Sequence, residues 1–135
     1  GSKKLKVLSN IKIDDHSGRY TQVKLGKDGL PFMVFNSEND GCVKTAHCND
    51  IMCTNFTLNC VDPTSNSNNA RFIFMQMHPN TMLPVMSYCE QSNSNSKLKY
   101  VACLNIDCTQ YVKTDLDGIN ENDGKIAYSY FDFNR

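Results

Sequence analysis

An internal repeat is the feature that most constrains how this chain can fold. Residues from Arg19 to Thr54 recur in five blocks, in the same order, from Arg71 to Thr109. Arg19-Tyr20 answers to Arg71-Phe72, and Leu30-Pro31-Phe32-Met33-Val34-Phe35 answers to Leu83-Pro84-Val85-Met86-Ser87-Tyr88. A polar loop follows each. Val43-Lys44 then matches Leu98-Lys99, and Cys48-Asn49-Asp50-Ile51-Met52-Cys53-Thr54 matches Cys103-Leu104-Asn105-Ile106-Asp107-Cys108-Thr109. The offsets are 52, 53 and 55 residues, so the register drifts little across a unit. A period of this length marks one supersecondary unit that buries its apolar faces by stacking on copies of itself. Partial copies flank the full ones: Lys4-Leu5-Lys6-Val7 resembles Lys97-Leu98-Lys99-Tyr100, and the stretch from Ile126 to Asp132 resembles the strand after Leu83-Pro84. One repeat domain over 1–135 is expected, with a leading partial unit (3–18), full units at 19–60 and 71–115, and a trailing partial unit (116–135).

The residues inside the unit predict strands. The chain has sixteen Asn and only four Ala, while Val, Ile, Thr, Tyr and Phe contribute thirty-six residues. Ala leads the helix scale, Asn prefers caps and turns, and β-branched and aromatic side chains suit a pleated sheet. Alternation and turn residues divide the units into strands over 19–25, 30–36, 42–48 and 53–60, and over 71–77, 83–89, 97–103 and 108–115. The Ser/Asn clusters at 37–41, 65–69 and 92–96 are expected as loop tips. Four antiparallel strands in about 50 residues describe a β-propeller blade. The expected fold is therefore all-β, with about 2.5 blades of about 53 residues; a β-sandwich or closed β-barrel from the same strands is the alternative. A propeller ring takes about four to eight blades, so a chain of 135 residues closes one only in a longer protein or by association of copies. Two chains that each complete a split blade would supply six.

Gly18-Arg19-Tyr20-Thr21, Asp28-Gly29-Leu30-Pro31, an aromatic strand, a polar loop, Val43-Lys44 and the hairpin Cys48-x4-Cys53-Thr54 together resemble a known pattern. It is the tandem β-propeller repeat of secreted or surface proteins in bacteria and some protists. Those repeats run Gly-Tyr-Tyr-Thr, Asp-Gly-Leu-Pro, Ser-Tyr-Tyr-Asp, Leu-Lys and Cys-x4-Cys-Thr. The resemblance spans about 115 residues and implies a fold; it brings no shared catalytic residues to transfer. Two departures stand out. The leading unit has Ser9-Asn10-Ile11-Lys12 in place of cysteines, and the trailing unit has Lys125 and Ile126 in place of Leu-Pro.

Seven cysteines in 135 residues point to an oxidising compartment, hence a secreted or cell-surface protein. Cys48 and Cys53 flank one turn, Cys103 and Cys108 flank its repeat equivalent, and each pair is expected to form a disulfide. Cys42 and Cys60 lie nearly opposite each other on the strands entering and leaving the first turn, at separations a disulfide accepts, and make a third expected bridge. Cys89 is left over, either as a buried thiol or as a handle between chains.

Several other residues carry metal-binding or catalytic chemistry by type. His47, Cys48, Cys53 and His78 include soft metal ligands, but Ala102 stands where the repeat would need a second His47, so no zinc site is expected. Cys89 with His16, His47 or His78 has the residue types of a nucleophile and base without a signature around them, and the histidines read as surface residues. The run Asp115–Gly124 is rich in oxygen side chains, yet no 12-residue calcium loop fits it, and it is expected to be a turn. Asn55-Phe56-Thr57 is an N-glycosylation match, and Phe72, Phe74, Met75, Met77 and Met86 are expected as core between stacked units rather than a groove. Lys+Arg and Asp+Glu each number 14, which removes the electrostatic drive toward nucleic acid. No apolar run approaches the roughly 20 residues of a membrane span.

The expected function is non-catalytic recognition or scaffolding, with loops on a stiff sheet framework presenting a surface to a protein or glycan and with no cofactor. The repeat-equivalent turns 26–29 and 78–82 are the candidate loops. Two alternatives stand beside it. A secreted hydrolase would need acidic or His residues repeated near Arg19 and Arg71, which are lacking. A propeller fragment that self-associates without its own ligand would account for the incomplete number of units.

Overall fold

The computed structural model describes residues 17–38, 40–63, 69–91 and 95–120. They form β1 (Ser17–Leu25), β2 (Pro31–Ser37), β3 (Cys42–Cys48) and β4 (Phe56–Pro63), then β5 (Asn69–Met77), β6 (Pro84–Gln91), β7 (Asn95–Cys103) and β8 (Tyr111–Asn120). Each set of four is an antiparallel sheet whose strands lie in chain order. The all-β expectation holds. Among the described residues there is no helix and no closed barrel, and neither sheet borrows a strand from the other. The flanking stretches 3–16 and 121–135, with His16 and the end of the Asp115–Gly124 run, lie outside the described residues.

Some expected boundaries shift, and backbone hydrogen bonding explains each shift. β4 starts at Phe56 and β8 at Tyr111, not at the preceding cysteines. Cys53 and Cys108 have φ of 52° and 55°, which takes the chain out of extended conformation. Asp115–Asn120, expected as a turn, belongs to β8 and pairs with Asn95–Lys99, so Asn95 and Ser96 are strand residues as well. A partner strand that satisfies every backbone group outweighs the weak turn preference of Asn, Asp and Ser.

The repeat extends to details of the backbone. Tyr20 and Phe72 occupy equivalent positions with φ of 56° and 55°, at the irregularities between Arg19 and Gln22 and between Arg71 and Phe74. A second pair of irregularities falls at Val43/Lys44 and Leu98/Lys99. The turns share a left-handed position too, Gly29 at 78° in the first and Met82 at 55° in the second.

The two sheets stack face to face. Phe32, Val34, Val43 and Val61 of the first meet Ala70, Ile73, Met75, Met86, Tyr88 and Val101 of the second in one buried cluster. Met75 and Met86 are thus core, as expected. β1 and β5 approach most closely, with β2 and β5 next. Their inner edges are joined by the Tyr20 and Phe72 rings, 5.2 Å apart and tilted, and by the Met75 amide reaching Gln22 Oε1 at 3.5 Å. Farther out, long side chains bridge the sheets, Asn59 Nδ2 donating to Cys108 O at 2.5 Å and Lys113 Nζ reaching Asp62 at 2.5 Å. The stack is tight at its inner strands and spreads outward.

Candidate functional site

In an up-and-down sheet the β1–β2 and β3–β4 connections emerge at one end, and so do their equivalents in the second sheet. Turns 26–30, 49–55, 78–83 and 104–110 therefore share an end. Disulfides close the two longer hairpins, Cys48–Cys53 and Cys103–Cys108, each with Cα atoms 4.8 Å apart. The third bridge, Cys42–Cys60, spans β3 and β4 with Cα atoms 6.0 Å apart. These are the pairs expected from their placement around the turns. The second sheet has no counterpart to Cys42–Cys60; the equivalent positions hold Lys97 and Asp115, an exposed ion pair at 3.5 Å.

Inside each hairpin one side chain caps the backbone. Asp50 accepts from the Thr54 hydroxyl at 2.7 Å, the Asn55 amide at 2.9 Å and the Thr54 amide at 3.1 Å. These donors, the Thr54 side chain first, hold the exposed Asp50 carboxyl below its ordinary range. Its equivalent Asn105 accepts from the Thr109 amide at 2.9 Å and the Gln110 amide at 3.3 Å. Such a loop costs little further entropy on binding. The rigid frames leave aliphatic tips in solvent: Ile51 and Met52 on one hairpin, Leu104 and Ile106 on the other, with Leu25 and Met82 beside them. Asn55, the glycosylation match, is also exposed in the first hairpin.

His47 ties three of these turns together. Expected at the surface, it is buried: Nδ1 lies 2.6 Å from Asp107 of the second sheet's hairpin, and Nε2 lies 3.0 Å from Asp28 of turn 26–30. Burial pushes the Asp28 carboxyl up, but the Leu30 amide and His47 outweigh it and hold it below the usual carboxylate range. With a carboxylate at each ring nitrogen, the imidazole has no nitrogen turned toward a nucleophile. It acts as a clamp between turns. The zinc reading fails for a covalent reason, since Cys48 and Cys53 are bonded to each other and offer no thiolate. Among the described residues no group of three His, Cys, Asp or Glu side chains could hold a metal ion. Cys89 is a buried free thiol; desolvation pushes it up against the pull of Arg71, which keeps it protonated and unreactive.

A second polar constellation locks the sheets from within. Asp62 is completely buried at the end of β4 and accepts from Lys113 at 2.5 Å, Tyr88 at 2.6 Å and Lys99 at 3.0 Å. Lys99 also pairs with Glu90 of its own sheet. Two ammonium groups thus balance two carboxylates, as buried charge requires. Burial pushes the Asp62 carboxyl up, but Lys113, Tyr88 and Lys99 hold it below the ordinary range. The Lys99 ammonium, which burial alone would pull down, is carried above its ordinary range by Glu90 and Asp62.

Among the described residues no helix is long and apolar enough to cross a membrane. No family model, curated protein or solved structure matches this chain.

Proposed function

We propose that this chain is a non-catalytic recognition module of propeller-type repeats, which binds a protein ligand at the end bearing turns 26–30, 49–55, 78–83 and 104–110. One observation carries the reading: aliphatic tips project from hairpins that disulfides, Asx caps and the His47 clamp have already ordered. Exposed apolar side chains on pre-ordered loops gain affinity from desolvation with little entropic loss. Aliphatic rather than aromatic tips favour a protein surface over a glycan. The propeller reading is supported by two four-stranded meanders that stack in the same sense, closest at β1 and β5, as neighbouring blades do. Three disulfides are compatible with an extracellular setting.

The test uses the labelled chain on a protein array and a glycan array, beside M52D and I106D. The expected result is binding to a protein, weakened at least tenfold by either variant with melting temperature unchanged. Glycan binding insensitive to both variants, or protein binding that maps to the opposite end at 38–41, would overturn the assignment.

A further inference from the structure

We propose that the thioethers of Met52 and Met82 are an oxidation site, at which a hydroperoxide switches off binding at the turn end. The inference rests on the recognition reading and names a chemistry that regulates the same surface. The six methionines sort by their place in the fold. Met75 and Met86 are fully buried between the sheets, and Met33 and Met77 are partly buried against the two apolar clusters. Met52 is 66% exposed and Met82 38% exposed, and both stand among the aliphatic tips of the turn end.

No thiol competes with them for oxidant. Six of the seven cysteines are paired in disulfides, and the seventh, Cys89, is completely buried. The chain has no Trp. These two thioethers are therefore the solvent-facing side chains that give up two electrons most readily. In the step, a sulfur lone pair attacks the distal oxygen of the hydroperoxide, and the O–O bond breaks as the S–O bond forms. The proton of the transferred hydroxyl passes to the departing oxygen, which leaves as an alcohol or, from hydrogen peroxide, as water. Sulfur loses two electrons and the peroxide gains them.

The repeat shows that the scaffold requires neither thioether. Asp107 takes the place of Met52 in the second hairpin, and both hairpins still close with Cα atoms 4.8 Å apart at their bridges. Gly29 takes the place of Met82 in the first turn, and both positions are left-handed. A sulfoxide at either position thus leaves the frame standing and changes only its surface, from a flexible apolar side chain to a polar one. Binding that draws on desolvation of these tips is lost with that change.

The experiment treats the whole chain with hydrogen peroxide and follows each methionine by peptide mass mapping, where a sulfoxide adds about 16 Da. Met52 and Met82 are expected to oxidise at least tenfold faster than Met75 and Met86. Retention on octyl-agarose, the apolar probe, is expected to fall as the two tips are consumed, with melting temperature unchanged. Methionine sulfoxide reductase restores it. Two double variants separate the tips from the rest of the chain: retention of M52L/M82L does not respond to peroxide, and M52Q/M82Q elutes early without it. A ligand captured on the protein array is expected to bind the oxidised chain at least tenfold more weakly. Core methionines that keep pace with the tips, or retention that stays constant once both tips are oxidised, overturn the proposal. Either result leaves untouched the binding that M52D and I106D test, so the two readings fail separately.

Discussion

At the residue scale, Asp62 shows how much one buried side chain can decide. It is the only anion among the described residues to receive both Lys99 and Lys113, with the Tyr88 hydroxyl completing its shell. D62N keeps the shape and removes the charge, leaving two lysines with less than their counterions. The expected loss is about 3–5 kcal/mol, measured by denaturant unfolding. The pH dependence has a definite sign. The folded carboxyl lies below its unfolded value near about 3.9, so its stabilisation is present above that pH and fades as pH falls through the folded value. Lys99, raised in the folded state, contributes below about pH 10.4 and loses its share as pH rises past it. Wild-type melting temperature should therefore drop more steeply below pH 4 than that of D62N; equal slopes would show that other carboxylates govern acid unfolding.

At the scale of elements, the repeat gives an internal control. Gly29 and Met82 occupy equivalent left-handed turn positions, but only one is glycine. Nothing lies within 4 Å of a Cβ added at Gly29, so a substitution there meets backbone strain without a clash. G29A is expected to cost about 1 kcal/mol, and M82G to gain up to about 1 kcal/mol, less what glycine adds to unfolded-chain entropy. Thermal melts of the two variants check both signs. The eight strands were legible because β-branched and aromatic residues recur between turn residues at a fixed period. The starts of β4 and β8 were not, since the left-handed Cys53 and Cys108 that delay them arise from hairpin closure, which residue type does not reveal. Cys42–Cys60 and its substitute Lys97–Asp115 show one cross-strand position held covalently in one unit and electrostatically in the next.

At the scale of the molecule, neither sheet buries its apolar face alone. Phe32, Val34 and Val43 are covered only because Met75, Met86 and Tyr88 stack on them. Unfolding of the two sheets should thus be one event. M86A is expected to cost about 2–5 kcal/mol and to shift a single transition seen alike by circular dichroism and tyrosine fluorescence; separate transitions would show sheets that fold independently. The clamp at the turn end belongs to this scale too. His47 reaches Asp107, 60 residues away, and no local pattern around either residue announces the contact.

The period, the strands, the hairpin turns and three cysteine pairs follow from the sequence alone, because each depends on neighbours along the chain or directly across a hairpin. The burial of His47, the neutralised cluster around Asp62 and the inert state of Cys89 depend on how two sheets meet. That is decided in tertiary structure, where side chains distant in sequence share one desolvated space and must balance each other's charge and volume.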